Sequence, residues 1–381
     1  MSSPFSDEQQ ALREQARDFL SHHSGAEQVR LAMEGESGSD PEVWKRIGAE
    51  LGWTALCIPE AYGGVGLGPV ELSLLMEEMG AHLLCAPFFS TVCLATPAIV
   101  AGGSEAQKQA ALPALAEGRT TATLAFAEPG GSPDPAAMRA HFRREADGSY
   151  TLHGVKRYVV DGHTADLVVV AARREGTHGD SGIELFLVPG SAPRLERIAL
   201  PTMDLTRRLA ELRLDAVRVP ASALLGESQS YGGAILAEAL DRATVALAAE
   251  QVGGAQRCLD LAVAYAKERV QFGRPIGSFQ AIKHKCADMM LLVESARSAA
   301  RHAAEVARGG GEELATAASL AKSYCGDAFF HCAGEAIQIH GGVGFTWEYD
   351  PHLYFKRARS SQSLLGEPSY HRERVARAMG L

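Results

Sequence analysis

Apolar and small residues recur at alternating steps of four and three along the second half of the chain. Val245, Ala249, Val252, Leu259, Val263 and Ala266 form one such series, and Ile282, Cys286, Met289 and Val293 form the next. Each series is the buried stripe of a long helix. Between them lie Lys267, Glu268 and Arg269, then Phe272-Gly273-Arg274-Pro275. Glycine permits unusual φ there and proline lacks an N–H, so the helix must break. Two long packed helices are therefore predicted, with Arg269 and Phe272 at the elbow between them. A further helical run leads into Gln338-Ile339-His340-Gly341-Gly342-Val343-Gly344, whose glycines let backbone N–H groups approach a ligand closely.

The first third also reads as helical. Ser6 followed by Gln9 is a capping-box signature, and Leu12, Ala16, Phe19 and Leu20 share a face of the helix that follows. A loop over 34–41 precedes a helix from Pro41 to Leu51 carrying Trp44 and Ile47, and Val70 to Met79 reads as another amphipathic helix. The glycines between Pro59 and Gly68 read as a mobile structural connection, because no strand stands before them as a dinucleotide fingerprint requires. Near Thr121 the period changes to two. Arg143 to Leu152 predicts a hairpin turning at Asp147-Gly148, and Val155–Val160, Leu167–Val170, Ile183–Val188 and Leu209–Val219 predict further strands. Helices return after Pro220. The plan is α+β in three parts, 1–118 helical, 119–225 β and 226–381 helical.

Composition narrows the function classes. In 381 residues, 46% are hydrophobic and 22% charged, as in an ordinary globular protein with a large core. A net charge of −9 argues against a nucleic-acid surface. Seven scattered cysteines without a CxxC pair suggest neither a metal site nor a disulfide framework, and fit free thiols in a reducing cytoplasm. No apolar run reaches membrane-spanning length and no signal-peptide pattern opens the chain, so a cytoplasmic location is expected.

A guanidinium fixed at an elbow suits a pyrophosphate, because its planar fork donates bidentately. Alone, Arg269 reads as a solvated helix end; the Gln-x-His-Gly-Gly turn changes that reading. Arg-x-x-Phe-Gly and Gln-x-His-Gly-Gly in this order resemble the acyl-CoA dehydrogenase family, and the likeness extends over nearly the whole chain. The resemblance implies an N-terminal helical domain, a middle β-barrel or sandwich domain and a C-terminal four-helix bundle. It implies FAD, held here by Arg269, Gln271, Phe272 and Gln280 along the cofactor and by Gln338, His340, Gly341 and Gly342 on a second wall. In the family these two motifs hold the FAD of a neighbouring subunit.

The chain departs from the family's pattern in two places. The β-domain motifs read Phe126-Ala127-Glu128-Pro129-Gly130-Gly131-Ser132 and Lys156-Arg157-Tyr158-Val159-Val160-Asp161-Gly162. Ala127 and Val160 stand where the family places flavin-facing threonines, and Tyr158 where it places a tryptophan. Each lost hydroxyl removes a hydrogen bond of about 0.5–1.5 kcal/mol. The family's catalytic glutamate is missing from both of its known positions, which hold Leu365 and Ala243. Glu367 and Asp241 are weak substitutes; Glu367 also reads as a helix-start or solvated acid. The aspartate matching Asp241 contacts substrate in the family, and Arg242 beside it is carried over in that role. No catalytic residue is expected in this chain.

The resemblance thus implies oxidation of an acyl-CoA thioester by a heteromeric α2β2 dehydrogenase of lipid or steroid catabolism. This chain would be the non-catalytic subunit, completing the FAD site of a second acyl-CoA dehydrogenase subunit, with an electron-transferring flavoprotein as acceptor. A self-sufficient homotetrameric dehydrogenase and a redox-silent binding protein of the same fold remain alternatives. No metal, nucleic acid or membrane span is expected.

Overall fold

A computed structural model describes residues 6–179, 181–226, 231–311 and 313–381. The chain divides into two compact units. One gathers 1–31, 69–84 and 244–381; the other gathers 32–68 and 85–243.

The first unit is helical. Its long helices are Gly232–Glu268, which enters it at Thr244, then Gln280–Gly309 and Glu313–His340, followed by Pro351–Ser363 and Pro368–Ala378. The predicted stripes are buried at Val245, Ala249, Val252, Ala266, Met289 and Val293. Alanine dominates where the Gln280–Gly309 and Glu313–His340 helices meet, with Ala296, Ala300, Ala303, Ala318 and Ala321 in one buried cluster. Small side chains let two backbones pack closely. Asp7–His23 opens with the predicted Ser6/Gln9 capping box, both of its reciprocal hydrogen bonds present.

The helix Pro69–Ala81 differs from its expected amphipathic form: all ten residues from 70 to 80 except Glu71 are buried. Its carboxylates are neutralised from other helices. Arg13 donates to Glu77 and Glu78 at 2.8 Å each, Arg17 to Glu78 at 2.8 Å and Arg297 to Glu77 at 3.0 Å. The helix crosses Gly232–Glu268 at reciprocal glycines. A Cβ on Gly80 would strike the carbonyl of Glu250, and one on Gly253 the carbonyl of Glu77.

The second unit is built on a mixed seven-stranded sheet, β1 (Ala122–Ala125), β2 (His141–Arg144), β3 (Tyr150–Val160), β4 (Leu167–Arg174), β5 (Ile183–Pro189), β6 (Leu195–Ala199) and β7 (Leu209–Val219). The 145–149 turn makes β2 and β3 an antiparallel hairpin, as the Asp-Gly pair predicts. The strand read over Val155–Val160 is continuous with the hairpin's second arm, because β7 pairs along all of β3. β4 pairs antiparallel with β5 on one edge and parallel with β1 and β2 on the other. Phe142, Tyr150 and Phe186 meet edge to face, with centroids 4.9–5.7 Å apart, at the centre of the core. The Pro59–Gly68 segment, expected to be mobile, is instead a folded turn. Val65, Gly66 and Leu67 donate their N–H groups to the carbonyls of Ala55, Ile58 and Leu56.

Candidate functional site

The predicted elbow is a hairpin. After Glu268 the chain forms Val270–Gln271 and Arg274–Pro275, two short paired strands, with Phe272 at φ 52° and Gly273 at φ 76° between them. Two successive positive φ values mark a type I′ turn, which asparagine and glycine usually fill. Phenylalanine in that conformation costs about 1–2 kcal/mol. Phe272 is nonetheless 92% exposed, and its ring meets Phe279 edge to face at 6.1 Å. Arg274 lies over that Phe279 ring at 4.1 Å, and Ile276 N–H closes onto the Arg269 carbonyl.

Arg269, Gln271 and Gln280 are all exposed, and no ion pair of Arg269 is found among the described residues. The second motif ends the neighbouring helix. Gln338 is exposed, and Gly341 and Gly342 are exposed with open space where a Cβ would stand. The structure brings the two motifs together through a contact absent from the sequence reading. Tyr265, one turn before Arg269, stacks on His340 at 4.2 Å and 19°. The His340 side chain is buried, and its ring, stacked on Tyr265, braces the hairpin against the glycine turn. Nδ1 lies 2.7 Å from the Ala336 carbonyl, and as that oxygen only accepts, Nδ1 carries the proton. Burial lowers the His340 pKa, against the hydrogen bond to the Ala336 carbonyl. A guanidinium, outward amides, bare glycine backbone and an uncovered aromatic form a donor set that fits a dinucleotide pyrophosphate and its adjoining ring system.

In the second unit the two β-domain motifs are tied by a buried ion pair. Lys156 is fully buried; its Nζ donates to Glu128 at 2.7 Å and to the Phe126 carbonyl at 3.2 Å. Burial is the largest influence on Lys156 and lowers its pKa to about 8, against the attraction of Glu128. Glu128 also accepts from the backbone of Arg139 and Ala140. A bulge between Lys156 and Val159 throws Tyr158 outward at φ 60° and 43% exposure. Val160 is buried, and Thr123, whose hydroxyl is close by, donates to the Val160 carbonyl at 2.6 Å. The hydrogen of that hydroxyl is committed to the backbone.

The candidate acids separate. Asp241 is buried and Arg242 is paired with Glu238 at 2.9 Å, while Ala243 is wholly buried. Leu365 is buried in a left-handed turn, φ 62°. Glu367, exposed, is the N-cap residue of the Pro368–Ala378 helix, without a side-chain cap bond. Its carboxylate accepts from Ser363 at 3.4 Å and lies 3.9 Å from the Arg359 guanidinium.

His371, beneath that turn, is fully buried. Its Nε2 lies 3.2 Å from the Leu365 carbonyl and its Nδ1 lies 3.3 Å from Ser319 Oγ. A carbonyl only accepts, so Nε2 carries the proton and Nδ1 receives the Ser319 hydroxyl. Burial pushes the His371 pKa from 6.5 down to about 3. Below pH 6.5 the unfolded chain binds a proton that the folded chain refuses, so stability falls as pH drops. Between about pH 7.5 and 5 the loss from this ring should approach 2 kcal/mol. His371→Gln keeps an N–H donor without a titrating ring. The difference in unfolding free energy between the two pH values, from urea melts, should shrink in that variant by about that amount.

Models of the acyl-CoA dehydrogenase N-terminal, middle and C-terminal domains match residues 6–119, 123–217 and 231–380. The chain belongs to the acyl-CoA dehydrogenase family of flavoprotein oxidoreductases. It is 35% identical over 364 residues to the acyl-CoA dehydrogenase IpdE2 of Mycolicibacterium smegmatis, covering 95% of this chain and 96% of the relative. The structure of butyryl-CoA dehydrogenase from Megasphaera elsdenii superposes with a TM-score of 0.92 at 29% identity, over all of both chains. A chain of the ChsE4-ChsE5 complex from Mycobacterium tuberculosis superposes with a TM-score of 0.90 at 26% identity, over 100% of this chain and 99% of that one. No described helix is long and apolar enough to cross a membrane.

Proposed function

We propose that this chain is the subunit of a heteromeric, FAD-dependent acyl-CoA dehydrogenase that completes the flavin site of a catalytic partner and does not itself abstract the substrate proton. The observation that carries this reading is position 365, where a buried leucine occupies the turn from which the family projects its base. The likeness to a chain of a two-component complex supports it.

FAD, when bound, supplies the hydride acceptor for substrate Cβ. The residues of this chain bind and orient. Arg269 would offset the pyrophosphate charge, Gln271, Gln280 and Gln338 would offer amides, Phe272 would lie along the cofactor, and Gly341 and Gly342 would admit it to their backbone. Asp241 and Arg242 position the acyl-CoA. The α-proton leaves to a carboxylate of the partner, because a thioester α-proton is too weakly acidic to leave unaided. An acyl-CoA of lipid or steroid catabolism is the substrate class, and electrons pass on to an electron-transferring flavoprotein. The seven cysteines are all unpaired, in keeping with action in the cytoplasm.

The base test is direct. Glu367→Gln should leave turnover of the assembled enzyme within about tenfold, whereas loss of a true general base costs about 10²–10⁴-fold. Asp241→Asn should act mainly through KM. A collapse of kcat by hundreds-fold in Glu367→Gln, with FAD still bound, would make this the catalytic chain.

A further inference from the structure

The segment from Ser361 to Gly366 is held by buried donors from other helices, more than an ordinary connection needs. Gln251 Nε2 donates to the Ser361 carbonyl at 3.0 Å. Lys322, its side chain wholly buried, donates Nζ to the carbonyls of Gln362 at 3.0 Å and Gly366 at 3.3 Å. His371 donates to the carbonyl of Leu365, as derived above. The Gln362 side chain is anchored in turn, giving Nε2–H to Asp327 at 2.9 Å and receiving Arg359 at 2.8 Å.

Lys322 is the unexpected member. A buried ammonium is costly without a partner charge, and among the described residues none forms an ion pair with it. Asp327 and Glu367 act on it only at longer range, and burial outweighs them, lowering its pKa to about 8. Two backbone carbonyls are its direct compensation. They flank a strained turn, in which Leu365 at φ 62° precedes Gly366 at φ 115°. A costly cation supporting a strained turn is difficult to explain as general packing, because an apolar side chain would serve packing better.

We propose that Lys322 and His371 are positioning residues that lock the end of the Pro351–Ser363 helix and the 364–366 turn after it, fixing the backbone that carries position 365. The lock stands on the contacts alone. Its use in the reaction rests on the function proposed above: the turn then presents Leu365 as a fixed apolar boundary of the acyl-CoA site, where a carboxylate stands in catalytic relatives.

Amide hydrogen exchange on the full chain tests the lock. Lys322→Met should speed exchange in the peptide spanning 361–371 by at least about tenfold, with the sheet peptides unchanged, and Lys322→Arg should restore slow exchange. His371→Leu should reproduce the acceleration and His371→Gln should not, which decides the matter if Lys322→Met fails to fold. Leu365→Gly adopts positive φ without support, so the Lys322→Met effect should shrink in that background. Unchanged exchange in Lys322→Met and His371→Leu, or equal acceleration throughout the chain, would overturn the lock. In the assembled enzyme Lys322→Met should raise KM for the acyl-CoA with kcat maintained. A kcat collapse beside locally accelerated exchange would leave the lock standing and contradict the proposed non-catalytic role instead.

Discussion

If the proposed function holds, Arg269→Ala in this chain is expected to release FAD held mainly by the partner subunit. The guanidinium stands exposed beside a hairpin that spends backbone strain to hold Phe272 outward, and no ion pair of its own competes for it among the described residues. Removing one partner of a charge-assisted contact costs about 1.5–3 kcal/mol, one to two decades in affinity. Flavin retention on dilution of the mutant complex measures it. Arg269→Lys should recover only part, because a point charge cannot reproduce the bidentate fork. Unchanged retention in Arg269→Ala would show the hairpin to be a bystander.

The largest effect on stability is expected at Glu128. Glu128→Ala leaves the Lys156 ammonium fully buried with only the Phe126 carbonyl for compensation. Breaking a buried pair from one side costs about 3–5 kcal/mol, whereas replacing both members by apolar groups is often nearly neutral. Glu128→Ala should therefore lower the urea midpoint sharply, and the double variant Glu128→Ala with Lys156→Met should recover most of the loss. Equal damage in the single and double variants would mean that Glu128 acts through the backbone of Arg139 and Ala140 rather than through Lys156.

What was legible in the sequence follows the range of each interaction. The Ser6 capping box and the Asp147-Gly148 hairpin are local patterns and appear where their residues predict them; the long stripes do so except at Val263, Ile282 and Cys286, which are only half-buried. β1 and β6 were not read. β6 is a half-exposed edge without clean alternation, and β1 is only four residues, all buried. The helix Pro69–Ala81 looked amphipathic because its glutamates resemble a solvent face. Arginines at positions 13, 17 and 297 turn that face into core, and no local window contains them. The elbow's position was readable from Gly273 and Pro275, but its type I′ turn was hidden by phenylalanine in a place where asparagine or aspartate is the usual signal.

The candidate site divides in the same way. Both motifs are contiguous and could be read directly. The Tyr265–His340 stack that joins them, the Lys156–Glu128 tie and the Lys322 and His371 contacts could not, since each links residues 28 or more apart or depends on burial. A lone lysine in a helix looks solvated until the structure shows what surrounds it.

The proposed division of labour between unlike chains is tested most directly by counting flavin. The chain would be purified alone and with a co-expressed acyl-CoA dehydrogenase partner, and FAD measured per polypeptide. Weakened flavin-edge contacts at Ala127 and Val160 beside an intact Arg269 hairpin predict little FAD on the chain alone and about one FAD per two chains in the complex. A yellow homotetramer holding one tight FAD in every chain would contradict the account.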